Sequence, residues 1–128
     1  MSKIANYLEN AIVNHFLRNS SVTSPTKVYL ALYTSDPTDA DTGTEVSGGA
    51  YARQAITFSA PSNGSTSNSS TITFPTATGN WGTITHMGIR DASSGGNLLF
   101  YGPLSVSKTI TTGDQFIVNS GNLVVTID

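Results

Sequence analysis

Cysteine is missing from this 128-residue chain, and charge is scarce: six Lys and Arg and eight Asp and Glu make up 11% of the residues. With no cysteine there is no disulfide framework, thiolate metal site or thiol nucleophile, so stability rests on packing or on partners. The net charge of −2 offers no basic face to nucleic acid or to an anionic membrane. No apolar run approaches membrane-spanning length, and the first residues lack the basic-then-apolar pattern of a secretion signal. The glycines have no phosphate-loop spacing and no GxSxG elbow is present. The two histidines, His15 and His86, fall short of a metal ligand set. These absences argue against an enzyme and imply no cofactor and no metal.

What is abundant is Ser and Thr, about a quarter of the chain, with 12 Gly. Chains of this kind fold as β-sheet with polar turns. One helix is expected, over Ser2 to Asn19, with Ser2 as cap. Ile4, Leu8, Ala11, Ile12, His15 and Phe16 recur at spacings of three and four and should face the core. Tyr7, Val13 and Leu17 lie off that line and form a second apolar strip, a candidate interface. From Lys27 onward the period becomes two. "KVYLALY" reads as a strand buried on both faces, followed by "RQAITFS", "STITFP", "GTITHMGIRD", "LLFYG", "LSVSKTI", "QFIVN" and "NLVVTI". The run "NGSTSNSS" reads as an exposed loop. The fold class is therefore mainly β, an antiparallel two-sheet β-sandwich or jelly roll of about eight strands with one N-terminal helix. Residues 1–20 read as a packing and docking segment and 27–128 as the β-domain.

Between two strands lies "DPTDADTGTE", which holds Asp36, Asp39, Asp41 and Glu45, half of the acids in the chain. Four carboxylates in ten residues allow a calcium site, but their order does not follow the alternating EF-hand pattern. A polar turn-rich connector is the reading preferred. Arg53 and Arg90 each end an apolar stretch, and Glu45 and Asp91 are their candidate partners in structural ion pairs. Trp81, between turn residues in "TGNWGT", is the alternative candidate for a glycan contact. Tyr29, His86 and Tyr101 are further candidates for an interface between copies.

"VYLALYTSDPTDADTGTEVSGGAYARQAITF", "ITHMGIRDASSGGNLLFYGPL" and "TTGDQFIVNSGNLVVTID" together resemble small virion structural proteins of tailed bacteriophages. The likeness covers residues 27–128. It implies a non-enzymatic virion protein assembled in the host cytoplasm, with the major capsid protein or other virion proteins as partners. Capsid cement or decoration at the capsid surface is the favoured role. A tail, baseplate or fibre subunit, with a carbohydrate- or receptor-binding role, is the alternative. The low charge favours a homo-oligomer, and the resemblance makes a trimer the expected state. The ligand order of the acidic connector carries one prediction. Melting temperatures in excess calcium and in chelator should coincide, whereas a rise of several degrees with calcium would reveal a folded-state site.

Overall fold

The computed structural model describes all 128 residues. In chain order the elements are β1 (Lys3–Ile4), α1 (Asn6–Leu17), β2 (Val28–Tyr33), β3 (Gln54–Ile56), β4 (Ser65–Ser67), β5 (Ile72–Thr73), β6 (Gly82–Arg90), β7 (Leu98–Ile110), β8 (Ile117–Val118) and β9 (Val124–Thr126). The strands form a five-stranded antiparallel sheet in the order β1-β7-β6-β2-β3, and two small sheets, β4-β9 and β5-β8. The fold is mainly β with one helix, and the sheets face one another in a sandwich-like arrangement.

Alternation along β2 divides its side chains. Leu30 and Leu32 enter the main core with Ile84 and Ile89 of β6, Phe74, Trp81 and Phe116. Ala31 and Tyr33 point to the other face and are equally buried. β2 is thus apolar throughout because both of its faces are covered. On that second face Gly88 lies opposite Ala31. A Cβ at Gly88 would meet Leu98 Cδ1 and Tyr33 Cε1 at 2.8 Å, so glycine is what lets these two side chains close over the sheet. A bulge follows in β7. Ile89 pairs with Phe100 and Arg90 with Leu98, so Leu99 is the extra residue. Leu98 joins Ala5 and Tyr101 in a separate cluster while Leu99 belongs to the main core.

Four sequence expectations change. The helix does not start at Ser2: Lys3 and Ile4 pair with Tyr101 and Phe100 of β7, and Ala5 is the N-cap, with no side-chain capping bond. The Asn6 amide instead donates to the Asp39 carbonyl at 2.8 Å. The apolar line Ile4–Phe16 therefore breaks at both ends, because Ile4 is in a strand and Phe16 is 72% exposed. "LLFYG" and "LSVSKTI" are one strand, β7. Gly102-Pro103 does not end it, because β7 gains three residues on β6 between the pairs His86–Pro103 and Ile84–Lys108, and Pro is tolerated at such an irregularity. Finally, "NGSTSNSS" is not a loop. Asn63-Gly64, at φ of 52° and 77°, makes the tight turn that Asn-Gly favours, and Ser65–Ser67 then pairs with β9.

Asn68 ends that run at 1% exposure. Its Nδ2 donates to the carbonyls of Ser70 and Asn119, and its Oδ1 accepts from the Leu123 amide at 2.9 Å. Asn68→Ala would leave these buried groups without partners. The expected loss is about 3 kcal/mol, read as a lower urea midpoint at unchanged slope.

Candidate docking surface and buried charge network

Two features stand apart from the packing of an ordinary β-domain. The first is helix α1. Its Ala11 is buried and Leu8 packs on the core. Ile12 is half-buried, but the remaining apolar side chains lie largely at the surface: Tyr7, Val13, Phe16 and Leu17 are 42, 46, 72 and 76% exposed. Val13, Phe16 and Leu17 are spaced three and four apart, so they share one face of the last turns. The helix end is well made. Asn19 takes the left-handed conformation at φ 56°, and the Arg18 and Ser20 amides reach back to the Val13 and Asn14 carbonyls at 3.2 and 2.9 Å, which closes the last turn. The exposed apolar tip is thus held on an ordered helix. Val22, on the segment that follows, is 36% exposed, and its amide donates to His15 Nδ1 at 3.3 Å.

The second feature is a network built from the acidic connector. Glu45 receives Arg53 in a bidentate pair, Nη2 to Oε1 at 2.7 Å and Nε to Oε2 at 2.8 Å, and also the Tyr51 hydroxyl at 2.6 Å. Asp41 receives both terminal nitrogens of Arg90, at 2.7 and 2.8 Å. Arg90 donates further to the Tyr33 hydroxyl. Both guanidiniums then grip the turn after β6: Arg53 donates to the carbonyls of Ala92 and Gly95, and Arg90 to those of Gly95 and Gly96. Burial alone would raise the Glu45 carboxyl, but the hydrogen bonds from Arg53 and Tyr51 outweigh it and hold Glu45 below the usual range. Burial and the Glu45 hydrogen bond push the Tyr51 phenol far up. Burial works against the charge on Arg90, yet the bonds to Asp41 and Tyr33 prevail and raise it.

The four carboxylates of the connector thus face protein donors. Asp36 Oδ1 accepts the Thr38 amide, and Asp39 accepts the Tyr101 hydroxyl. Of the candidate ion-pair residues, Arg53 meets Glu45. Arg90 meets Asp41 rather than Asp91, which accepts the Asn97 amide and side chain instead. Asp41 was missed because it is 49 residues from Arg90 in a connector of no regular structure, and no spacing rule links the two. Among the interface candidates, Tyr101 is only 4% exposed and packs on Ala5 and Leu98, so its ring is not available to another copy. Tyr29 is half-buried in β2. His86 is also half-buried, with Nδ1 2.8 Å from Thr85 Oγ1 and Nε2 3.9 Å from Asp36. Trp81 is in the core, its Nε1 donating to the Gly49 carbonyl and its ring edge-on to Tyr51. It has no free face to lay on a sugar.

A family model described as "Podophage GP4 fiber I protein gp80" matches residues 3–126, nearly the whole chain. No curated protein matches it.

The lowered Glu45 carboxyl sets the direction of one pH effect. A group held below its unfolded value contributes stability above that value, 4.5 here, and loses it as pH falls through the folded value. Glu45→Gln should destabilise the chain at neutral pH by about 3 kcal/mol. The gap between variant and wild type should narrow below pH 4.5. Urea titrations at several pH values measure it, and a gap that is constant with pH would show that Glu45 is not the titrating group.

Proposed function

The chain belongs to the podophage GP4 fiber I protein family, and on that footing we propose that it is a non-enzymatic subunit of a virion fibre or of its attachment, docked through the outward face of α1. Membership makes it a phage virion structural protein; the place in the virion and the docking face are the further steps. The observation that carries the docking face is the solvent exposure of Phe16 and Leu17, 72 and 76%, on a helix whose ends are both fixed. A contiguous exposed apolar patch of this kind marks an interaction site. Residues 1–20 then act as the docking segment and 27–128 as the body it carries, although β1 and Ala5 join the two through β7.

A second reading is cement or decoration of the major capsid protein. It is favoured by a compact, weakly charged β-domain with neither heptads nor shaft repeats. Copy number in purified particles separates the two: hundreds per particle mean capsid cement, and a few to a few dozen mean a fibre or tail location.

Because β1 lies in the main sheet, substitution tests the docking face more cleanly than deletion. Phe16→Glu with Leu17→Glu should change folding stability by no more than about 0.5 kcal/mol. The same variant should enter particles about tenfold less, or worse. Quantitative immunoblots of purified particles read the incorporation, and normal entry of the folded variant would remove α1 from the docking role.

A further inference from the structure

We infer that the space between the main sheet and the β4-β9 sheet is a binding site for a neutral, largely apolar small molecule. The space is a recess of about 380 Å³. Ile89 of β6, Leu99 of β7 and Val125 of β9, all buried, form its floor, and Val28, Phe58 and Phe100 stand half-buried in its walls. The sequence explains why it is unfilled. The main sheet supplies large apolar side chains, whereas the 59–66 segment supplies only Ser59, Pro61, Gly64 and Thr66. Gly64 has no room for a side chain, because at φ 77° its Cβ would lie 2.5 Å from the Ile127 carbonyl oxygen.

The lining sets the class of ligand. No charged side chain reaches the recess, so an ionised group inside it would be desolvated without a partner. Thr66 Oγ1 is already committed to the Ser59 carbonyl at 2.6 Å, which leaves the Ser59 hydroxyl, at the exposed rim, to meet a single neutral polar head. Size sets the rest. An apolar cavity of about 150 Å³ takes up benzene. In proportion, the recess has room for roughly fifteen non-hydrogen atoms. Protein interiors seldom leave an apolar void of that size empty. With its floor already buried, the recess offers a protein far less than the roughly 800 Å² that a stable interface takes from each partner. A small molecule is the occupant that fits both the volume and the narrow opening.

None of the lining residues belongs to α1, so the inference stands or falls apart from the docking role of that helix. Phenylnaphthylamine, a neutral dye that brightens in apolar surroundings, should bind the full chain one to one, with half-saturation at about 10–100 µM. Decanol should displace the dye. In a methyl NMR titration, decanol should shift Val28, Ile89, Leu99 and Val125 and leave Val13 and Leu17 of α1 in place. Ser59→Trp fills the recess from its rim, where only the Ser59 backbone is hydrogen-bonded. It should fold as wild type does and weaken decanol binding about tenfold or more, while Phe16→Glu should leave that binding unchanged. A dye signal that never saturates overturns the inference. So do decanol shifts centred on Val13 and Leu17, or binding that Phe16→Glu abolishes. A folded Ser59→Trp chain whose Ile89 and Leu99 methyls still respond to decanol at the wild-type affinity overturns it too.

Discussion

Two guanidinium groups hold the longest irregular segment of this protein in place. Between β2 and β3 the chain runs through residues 34–53 with no helix or strand longer than a single bridge. A structureless connector of that length is unusual in a compact domain unless something fixes it. Arg53 and Arg90 do so from one side, each tied to a carboxylate of the connector and to carbonyls of the 92–96 turn. Removing one partner of such a pair leaves a desolvated charge behind, which is why each pair is hard to lose singly even if it adds little net stability over an apolar equivalent. The planar guanidinium suits this task better than an ammonium, because its fixed fork meets carboxylate and carbonyl oxygens together.

Once fixed, the connector finishes the sheet. β3 pairs with only Val28, Tyr29 and Leu30 of β2, which would leave the rest of β2 as an open edge. The connector covers it: the Val46 amide donates to the Leu32 carbonyl, the Thr34 amide to the Thr44 carbonyl, and the Leu32 amide to the Tyr51 hydroxyl. Tyr51 donates onward to Glu45, so edge protection and the ion pair share one hydrogen-bond chain. An uncovered edge invites pairing with other chains. The same charges that fix the connector therefore also direct association away from this edge. They are also withdrawn from the surface, which helps explain why a chain with so little charge keeps an exterior of Ser and Thr.

The parts of this fold that were legible in sequence are those governed by local periodicity. Leu30 and Leu32 alternate with Ala31 and Tyr33, and a strand buried on both faces follows from that run alone. The helix and the surplus of apolar residues on α1 were readable for the same reason, whereas the turns after β7 and β8, hairpin-like in sequence, join strands of different sheets. The parts that were not legible depend on contacts distant in sequence. Lys3 and Ile4 continue a helical pattern, yet they form a strand because the β7 edge is beside them. Asn68 sits in a low-complexity polar run and is nevertheless buried, since its amide satisfies backbone groups near residues 119 and 123. Asp91 adjoins Arg90 in sequence but lies just past the end of β6, where its carboxylate turns to the amide and side chain of Asn97. The surplus on α1 was visible, but assigning Phe16 to the core was not correct, because only the sheet decides which helical face it covers.

Helix α1 shows how little of that surplus the fold itself needs. Twelve residues that include three asparagines make a poor isolated helix. Stability comes from its ends and from one narrow contact. At the start, β1 and the Asn6-to-Asp39 bond fix its direction. In the middle, Ala11 and Leu8 pack inward, and a residue as small as alanine lets the helix approach β7 closely. At the finish, Asn19 and Ser20 close the last turn. Phe16 and Leu17 take part in none of these contacts with the sheet. Burying two such side chains is worth roughly 2 kcal/mol or more apiece, and folding the single chain gains almost none of it. The helix is thus anchored by the fold while its apolar tip stays in water, the feature on which the proposed docking role rests.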